Sequence, residues 1–218
     1  MVLSPIRIVT IALVSGACFL DGCATSRGVV SLATPASDKL TTSKGIEIYI
    51  HSVVDKRIFE AAPKSPNIPS LDPAEPQNDT IKLRAIARKR NTFGKGLGDI
   101  LLNEGQTVES VIYDSLRQAF IESGYTVIEY NANMSKSSHI VDVQINKFWS
   151  WMNPGFWAIM LSTEIATDIT VKKANDEDNK TIYVKASDSF QTGVDGNYWS
   201  VMNSALKDYI SEVKAKFK

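Results

Sequence analysis

The stretch Glu164-Ile-Ala-Thr-Asp-Ile-Thr-Val-Lys172, the polar run Asn175-Asp-Glu-Asp-Asn179 and the returning Thr181-Ile-Tyr-Val-Lys-Ala-Ser187 decide the fold. Ile165, Ile169 and Val171 sit at alternating positions, the two-residue period of a strand with one buried face. A polar turn between two such segments predicts an antiparallel hairpin. The same alternation recurs upstream. Ile46-Glu-Ile-Tyr-Ile-His-Ser-Val-Val54 reads as the first strand, Ile81 to Ala87 as a second, Tyr125-Thr-Val-Ile-Glu-Tyr130 as a short one and Ile140 to Phe148 as another.

Two segments carry the 3.6-residue period instead. Thr107 is placed to cap a helix whose apolar face is Val108, Val111, Ile112, Ser115, Leu116, Ala119 and Phe120, closed by Gly124. A second helix spans about 198–216, with Val201, Met202, Ala205, Leu206, Tyr209, Ile210 and Val213 on one side. Lysines in its last turn complement the helix dipole. Strands outnumber helices and come mostly in adjacent pairs. The expected architecture is α+β: an antiparallel or mixed sheet of about five to six strands with two amphipathic helices on one face.

Between the first two strands lies a stretch, 61–79, that holds five of the eight prolines (63, 66, 69, 73 and 76). Proline lacks an amide donor and fixes φ, so this is a long surface loop rather than a central strand or helix. Gly94-Lys-Gly-Leu-Gly98 matches neither phosphate-binding glycine template and reads as a flexible turn. Asp55 and Arg57, beside the end of the first strand, are placed to form an ion pair that holds the turn.

The N-terminus gives a location. An apolar run of 13 residues, Ile8 to Leu20, follows Arg7 and leads into Leu20-Asp21-Gly22-Cys23. Spanning a bilayer takes about 20 residues, so the run suits a signal-peptide core better than a membrane helix. The arrangement resembles the lipobox of bacterial lipoproteins, in which the cysteine is lipidated and becomes the new N-terminus. Cys18 competes for that role but lacks the branched apolar residue three positions earlier, which Leu20 supplies for Cys23. A plain secretory cut near Ala24 is the alternative. On the lipobox reading, residues 1–22 are removed, 23–45 form a Ser/Thr-rich flexible tether, and 46–218 fold as one α+β domain. Cys23 is then the only cysteine left, and its acylated sulfur leaves no disulfide or thiol chemistry. By resemblance to the sorting rule of Gram-negative lipoproteins, Ala24 rather than Asp after the cysteine implies the periplasmic face of the outer membrane.

The chemistry-bearing residues point away from an enzyme. His51 and His139 are the only histidines, and neither has further ligands at zinc spacing, so no metal or other cofactor is expected. No serine sits in a G-x-S-x-G elbow. Lys+Arg and Asp+Glu balance at 24 each, and Arg88-Lys-Arg90 is a lone basic cluster, so nucleic acid is not an expected partner. The segment most suited to binding is Phe148-Trp-Ser-Trp-Met-Asn-Pro-Gly-Phe-Trp157, which holds three of the four tryptophans. On alternate strand positions Phe148 and Ser150 share one face, while Trp149 and Trp151 share the other. With helices covering the first face, both tryptophans emerge on the outer face. There they either form a contact patch with Phe156 and Trp157 for an envelope protein or lipid, or pack under the proline loop.

The first strand ending Val54-Asp-Lys-Arg57, Gly105-Gln-Thr-Val108 opening a helix that ends Glu122-Ser-Gly-Tyr125, and the strand Val141 to Phe148 resemble the YajG-like family of small bacterial lipoproteins. The resemblance covers about 46–216 and implies an outer-membrane lipoprotein with an α/β domain and no established catalytic activity. The proline loop and the aromatic segment depart from that family. The functional expectation is a non-enzymatic binding or assembly accessory anchored through Cys23. The alternative is an auxiliary lipid- or ligand-binding lipoprotein of an envelope transport system.

Overall fold

The structure, a computed structural model, describes residues 27–34, 42–91, 93–130 and 137–218. In chain order the elements are β1 (Gly28–Val30), β2 (Glu47–Asp55), α1 (Asp79–Arg84), β3 (Ala85–Arg90), β4 (Gly96–Leu102), α2 (Val108–Glu122), β5 (Thr126–Val127), β6 (His139–Asn153), β7 (Ile159–Lys173), β8 (Asp176–Phe190) and α3 (Asp195–Lys216). The class is α+β, as expected, but the mixed sheet has eight strands rather than five to six. A short third helix joins the two amphipathic ones.

The hairpin that decided the class is present and longer than its pattern suggested. β7 and β8 pair antiparallel from Ile159↔Phe190 to Lys173↔Asp176. The turn is therefore Ala174-Asn175, and Asp176 to Asp178 belong to the strand rather than to the turn. β6 runs antiparallel to β7 along its whole length. On its other side β6 changes partners: β2 lies parallel to its first half (Ile48↔His139 to Asp55↔Ile145), and β3 lies parallel beyond it (Ala87↔Ser150). A register shift between Ile145 and Lys147 moves the helix-facing set from Val141, Val143 and Ile145 to Phe148.

Both long helices cover one face. α2 buries the seven residues its periodicity picked out. Thr107 caps it reciprocally with Ser110: the Ser110 N–H donates to Thr107 Oγ1 (3.1 Å) and the Thr107 N–H to Ser110 Oγ (3.0 Å). Gly124 takes φ +87° at its end, and the Tyr125 N–H bonds back to the Phe120 carbonyl at 3.0 Å. α3 buries its expected face and begins three residues earlier, at Asp195. With the sheet these helices enclose one large core around Phe120, Phe148, Tyr198 and Tyr209.

Four expectations need correction. Residues 81–87 are not one strand: Asn78 caps a helical turn through Arg84, and the strand starts at Ala85. Residues 96–102 are a strand, so Gly96 and Gly98 belong to β4 rather than to a flexible turn. Only Thr126 and Val127 of the 125–130 segment pair. The tether is the fourth: Gly28–Val30 pairs parallel with Ile100–Leu102, and Val30 and Leu32 are buried in the core, so the domain begins well before residue 46. Val30 and Leu32 supply the buried apolar side chains here, and β1 pairs along the edge of β4 that no other described strand occupies.

Arg57 explains how the sheet survives the partner change along β6. Its side chain is buried, and all five N–H groups are used. The Nε and Nη2 groups hold Asp55 in a forked ion pair (2.7–3.0 Å), Nη2 also reaches the Lys82 carbonyl, and Nη1 donates to the carbonyls of Ala85 (2.6 Å) and Phe148 (3.0 Å). The guanidinium thus fills the fork between β2, β3 and β6. The expected ion pair is present, and it holds three strands as well as a turn.

Candidate functional site

Chain directions gather three connections at one end of the sheet. β3 and β6 are parallel, so the β3–β4 turn (91–95) and the β6–β7 turn (154–158) lie side by side. Arg90, Asn91, Gly94, Met152, Pro154 and the Pro63–Pro66 segment enclose an open cleft of about 210 Å³ between them. The β8–α3 connection (191–194) joins the same end, because Phe190 pairs with Ile159.

This end is apolar and exposed. Phe93 is 93% exposed, Phe156 90% and Trp157 84%, and the last two meet edge-on with centroids 4.8 Å apart. Val194 and Met160 are also exposed. Residues 148–163 contain no charged side chain. Pro154 and Gly155 break β pairing at the turn and hold the rings clear of the sheet.

Trp149 and Trp151 lie on the outer face of the sheet, as alternation required, but they are covered there. They form a second small core with Leu71, Ala85 and Leu101, against Phe59 and Ile81. The Trp149 Nε1–H donates to the Pro66 carbonyl (3.1 Å), and Phe59 packs edge-on at 5.9 Å. Lys147 and Lys185 stand over Trp151 at 5.7 and 5.2 Å and both pair with Glu164. The proline loop is therefore the cover of the outer face, pinched shut by the Glu60 N–H to Pro69 carbonyl bond. Of the four aromatic residues expected to form a patch, only Phe156 and Trp157 remain available, and Phe93 joins them. Phe93 carried no sequence signal, because nothing local tells that its hairpin ends beside theirs.

Cys23 lies outside the described residues. The chain is held firmly four residues later. Arg27 pairs with Glu75, donates to the Pro76 carbonyl, and approaches the buried Asp99 at 3.5 Å. Asp99 also accepts from the Asp72 N–H (2.9 Å). Burial pushes its carboxyl up to about 6, with the nearby carboxylate of Glu75 adding to the effect. The fold thus favours the protonated acid. Its contribution to stability is complete below the ordinary carboxylate range near pH 4 and is lost as pH rises through about 6. Asp99→Asn is expected to flatten the stability profile between about pH 4 and 7, read as urea midpoints beside the wild type.

The remaining polar residues form a surface network rather than a cleft. His51 Nδ1 lies 2.7 Å from Asp142 Oδ1, and Ser52 and Lys172 also donate to that carboxylate. Burial opposes its ionisation, but hydrogen bonds from Lys172, Ser52 and His51 outweigh burial and hold the carboxyl well below the usual range. Burial, and then Lys173, lower the pKa of His139, which sits against Tyr125. Among the described residues no three His, Cys, Asp or Glu side chains are grouped to hold a metal ion. No helix of the described residues is long and apolar enough to cross a membrane.

No family model matches the chain, and no curated protein is similar to it in sequence. Among solved structures it is similar to a Xanthomonas campestris protein of family model DUF330, with 13% identity and a TM-score of 0.49, covering 88% of this chain and 94% of that one. A Chlamydia trachomatis protein gives 8% identity and 0.41, over 78% and 94%. A Neisseria meningitidis lipoprotein gives 9% identity and 0.26, over 47% and 86%. At these identities and scores the likenesses assign neither a family nor an activity.

Proposed function

We propose that the protein is a lipid-anchored lipoprotein of the bacterial envelope, acting as a non-enzymatic binding or assembly accessory of the YajG-like kind. The observation that carries this reading is Leu20-Asp21-Gly22-Cys23 directly after a 13-residue apolar run. An acylated Cys23 anchors the mature chain, and Ala24 directs it to the periplasmic face of the outer membrane. Each buried methylene contributes about 0.8 kcal/mol, so two or more acyl chains hold the protein stably.

The arrangement of the domain supports an accessory more than a lipid carrier. The space between sheet and long helices is filled by Phe120, Tyr198, Tyr209 and their neighbours, all essentially inaccessible, where a carrier needs an apolar cavity. The exposed apolar surface lies instead at the end of the sheet that bears Phe93, Phe156 and Trp157.

The reading is tested by Cys23→Ser. Metabolic labelling with an alkyne fatty acid is expected to mark the wild type and not the variant, and the variant is expected to remain an uncleaved precursor. Labelling that survives the substitution would remove the anchor from Cys23.

A further inference from the structure

The first described residues say from which side the chain enters the domain. β1 runs parallel to β4, with Gly28 opposite Ile100 and Val30 opposite Leu102. Because β4 leaves the 91–95 turn at Gly96, stepping backwards from Gly28 is stepping towards that turn. A second contact agrees. Gly28 packs so closely on the start of α3 that a Cβ there would overlap the Asp195 carboxylate. Asp195 directly follows the 191–194 connection, whose Gly193 lies against Ile159 and Met152. The chain from Cys23 therefore arrives at the same end of the sheet as Phe93, Phe156 and Trp157.

The reach is short. Cys23 stands four positions before Arg27, which is tied to Glu75, Pro76 and Asp99, so even a fully extended chain between them spans no more than about 14 Å. Acyl chains on Cys23 consequently bring this end, and not the opposite one, up to the bilayer surface. The charge distribution fits that orientation. The far end of the β7–β8 hairpin carries six charged side chains in residues 172–180, whereas the near end has none from 148 to 163. Exposed charges near the aromatic turns are the cations Lys64 and Lys95 and one anion, Asp188, which stands on β8 opposite Leu161. The nearby acids Asp195, Asp72 and Glu75 are paired with Lys89, Arg88 and Arg27. Aromatic rings with flanking lysines are the side chains that settle at a membrane interface, the rings at headgroup depth and the ammonium groups on anionic phosphates.

We propose that the end of the sheet bearing Phe93, Phe156 and Trp157 rests in the headgroup region of the bilayer that holds Cys23. The domain is then fixed to the membrane at two points instead of swinging on a tether. This rests on the lipoprotein reading above, and it commits the aromatic end to lipid rather than to a protein partner. The opposite, charged end is left facing the periplasm.

The test uses the full lipidated protein reconstituted into phosphatidylethanolamine–phosphatidylglycerol vesicles with brominated acyl chains. With Trp199, which is 45% exposed, replaced by Phe throughout, tryptophan fluorescence is expected to be quenched, and Trp157→Phe to remove most of that quenching, because the two tryptophans then left, Trp149 and Trp151, are buried. Phe93→Ser with Phe156→Ser is expected to reduce quenching of Trp157 severalfold without moving the thermal midpoint. The same sample is analysed for acyl mass on the Cys23 peptide. Acyl mass with no quenching, or with quenching indifferent to Trp157→Phe, overturns the docked orientation and leaves the anchor standing. Quenching at Trp157 without acyl mass upholds the docking surface and removes the anchor. Absence of both removes both. Self-association in sedimentation that Trp157→Ser abolishes, with no quenching, would overturn the proposal in favour of a second copy as the occupant.

Discussion

Arg57→Ala is expected to lower the unfolding free energy by about 3–5 kcal/mol, the usual cost of removing one partner from a buried ion pair. The Asp55 carboxylate, itself almost inaccessible, would lose its guanidinium partner, and the carbonyls of Ala85, Phe148 and Lys82 would lose these donors. Those carbonyls lie where β6 exchanges β2 for β3, so no neighbouring strand can replace the guanidinium. Arg57→Lys is expected to recover little, because one ammonium group cannot span five donor positions in a fixed plane. Urea unfolding followed by circular dichroism measures both variants. A loss below about 1 kcal/mol for the alanine variant would mean that water fills the fork adequately.

Trp149→Ala and Trp157→Ala are expected to separate sharply, although both residues sit in the same aromatic run. Trp149 is 1% exposed, packs on Phe59 and donates to Pro66; truncating it opens a cavity and should cost about 3–5 kcal/mol. It should also loosen the proline loop, read as faster proteolysis within residues 61–79. Trp157 is 84% exposed on a turn, and its truncation should stay within about 0.5 kcal/mol of the wild type. Equal thermal midpoints for the two variants would contradict the division of the segment into a covered half and an exposed half.

That division marks how far the sequence could be read. The α2 cap at Thr107, its stop at Gly124 and the inward faces of both long helices were legible, because caps and the 3.6-residue period depend on neighbours within a few positions. The β7–β8 hairpin was legible for the same reason. β4 was not, because Gly96 and Gly98 read as turn residues. Its usable signal was Ile100-Leu-Leu102, a continuous apolar run of the kind found in strands covered on both faces: Ile100 and Leu102 join the main core, and Leu101 joins Trp149 and Trp151. Alternation placed Trp149 and Trp151 on the correct face. What covers that face is a loop about 80 residues earlier, and no local pattern encodes where such a loop folds. β1 escaped for a related reason: three residues in a Ser/Thr-rich stretch form a strand only because β4 offers an open edge.

The revised start of the domain changes the picture of the anchor. A tether of 23–45 would allow the domain to roam several nanometres from the membrane. With Arg27 paired and β1 in the sheet, only three positions, 24–26, lie between the proposed lipidation site and the first paired residue, so on that proposal the orientation of the domain is coupled to the bilayer.

The central claim is covalent, and one mass measurement reaches it. Trypsin cutting after Arg27 releases the peptide Cys23-Ala-Thr-Ser-Arg27 from the mature protein. Mass spectrometry of membrane-extracted protein is predicted to find this peptide starting at Cys23 and carrying the added mass of its acyl chains. An unmodified peptide that begins at Ala24, or that continues upstream of Cys23, would contradict the account.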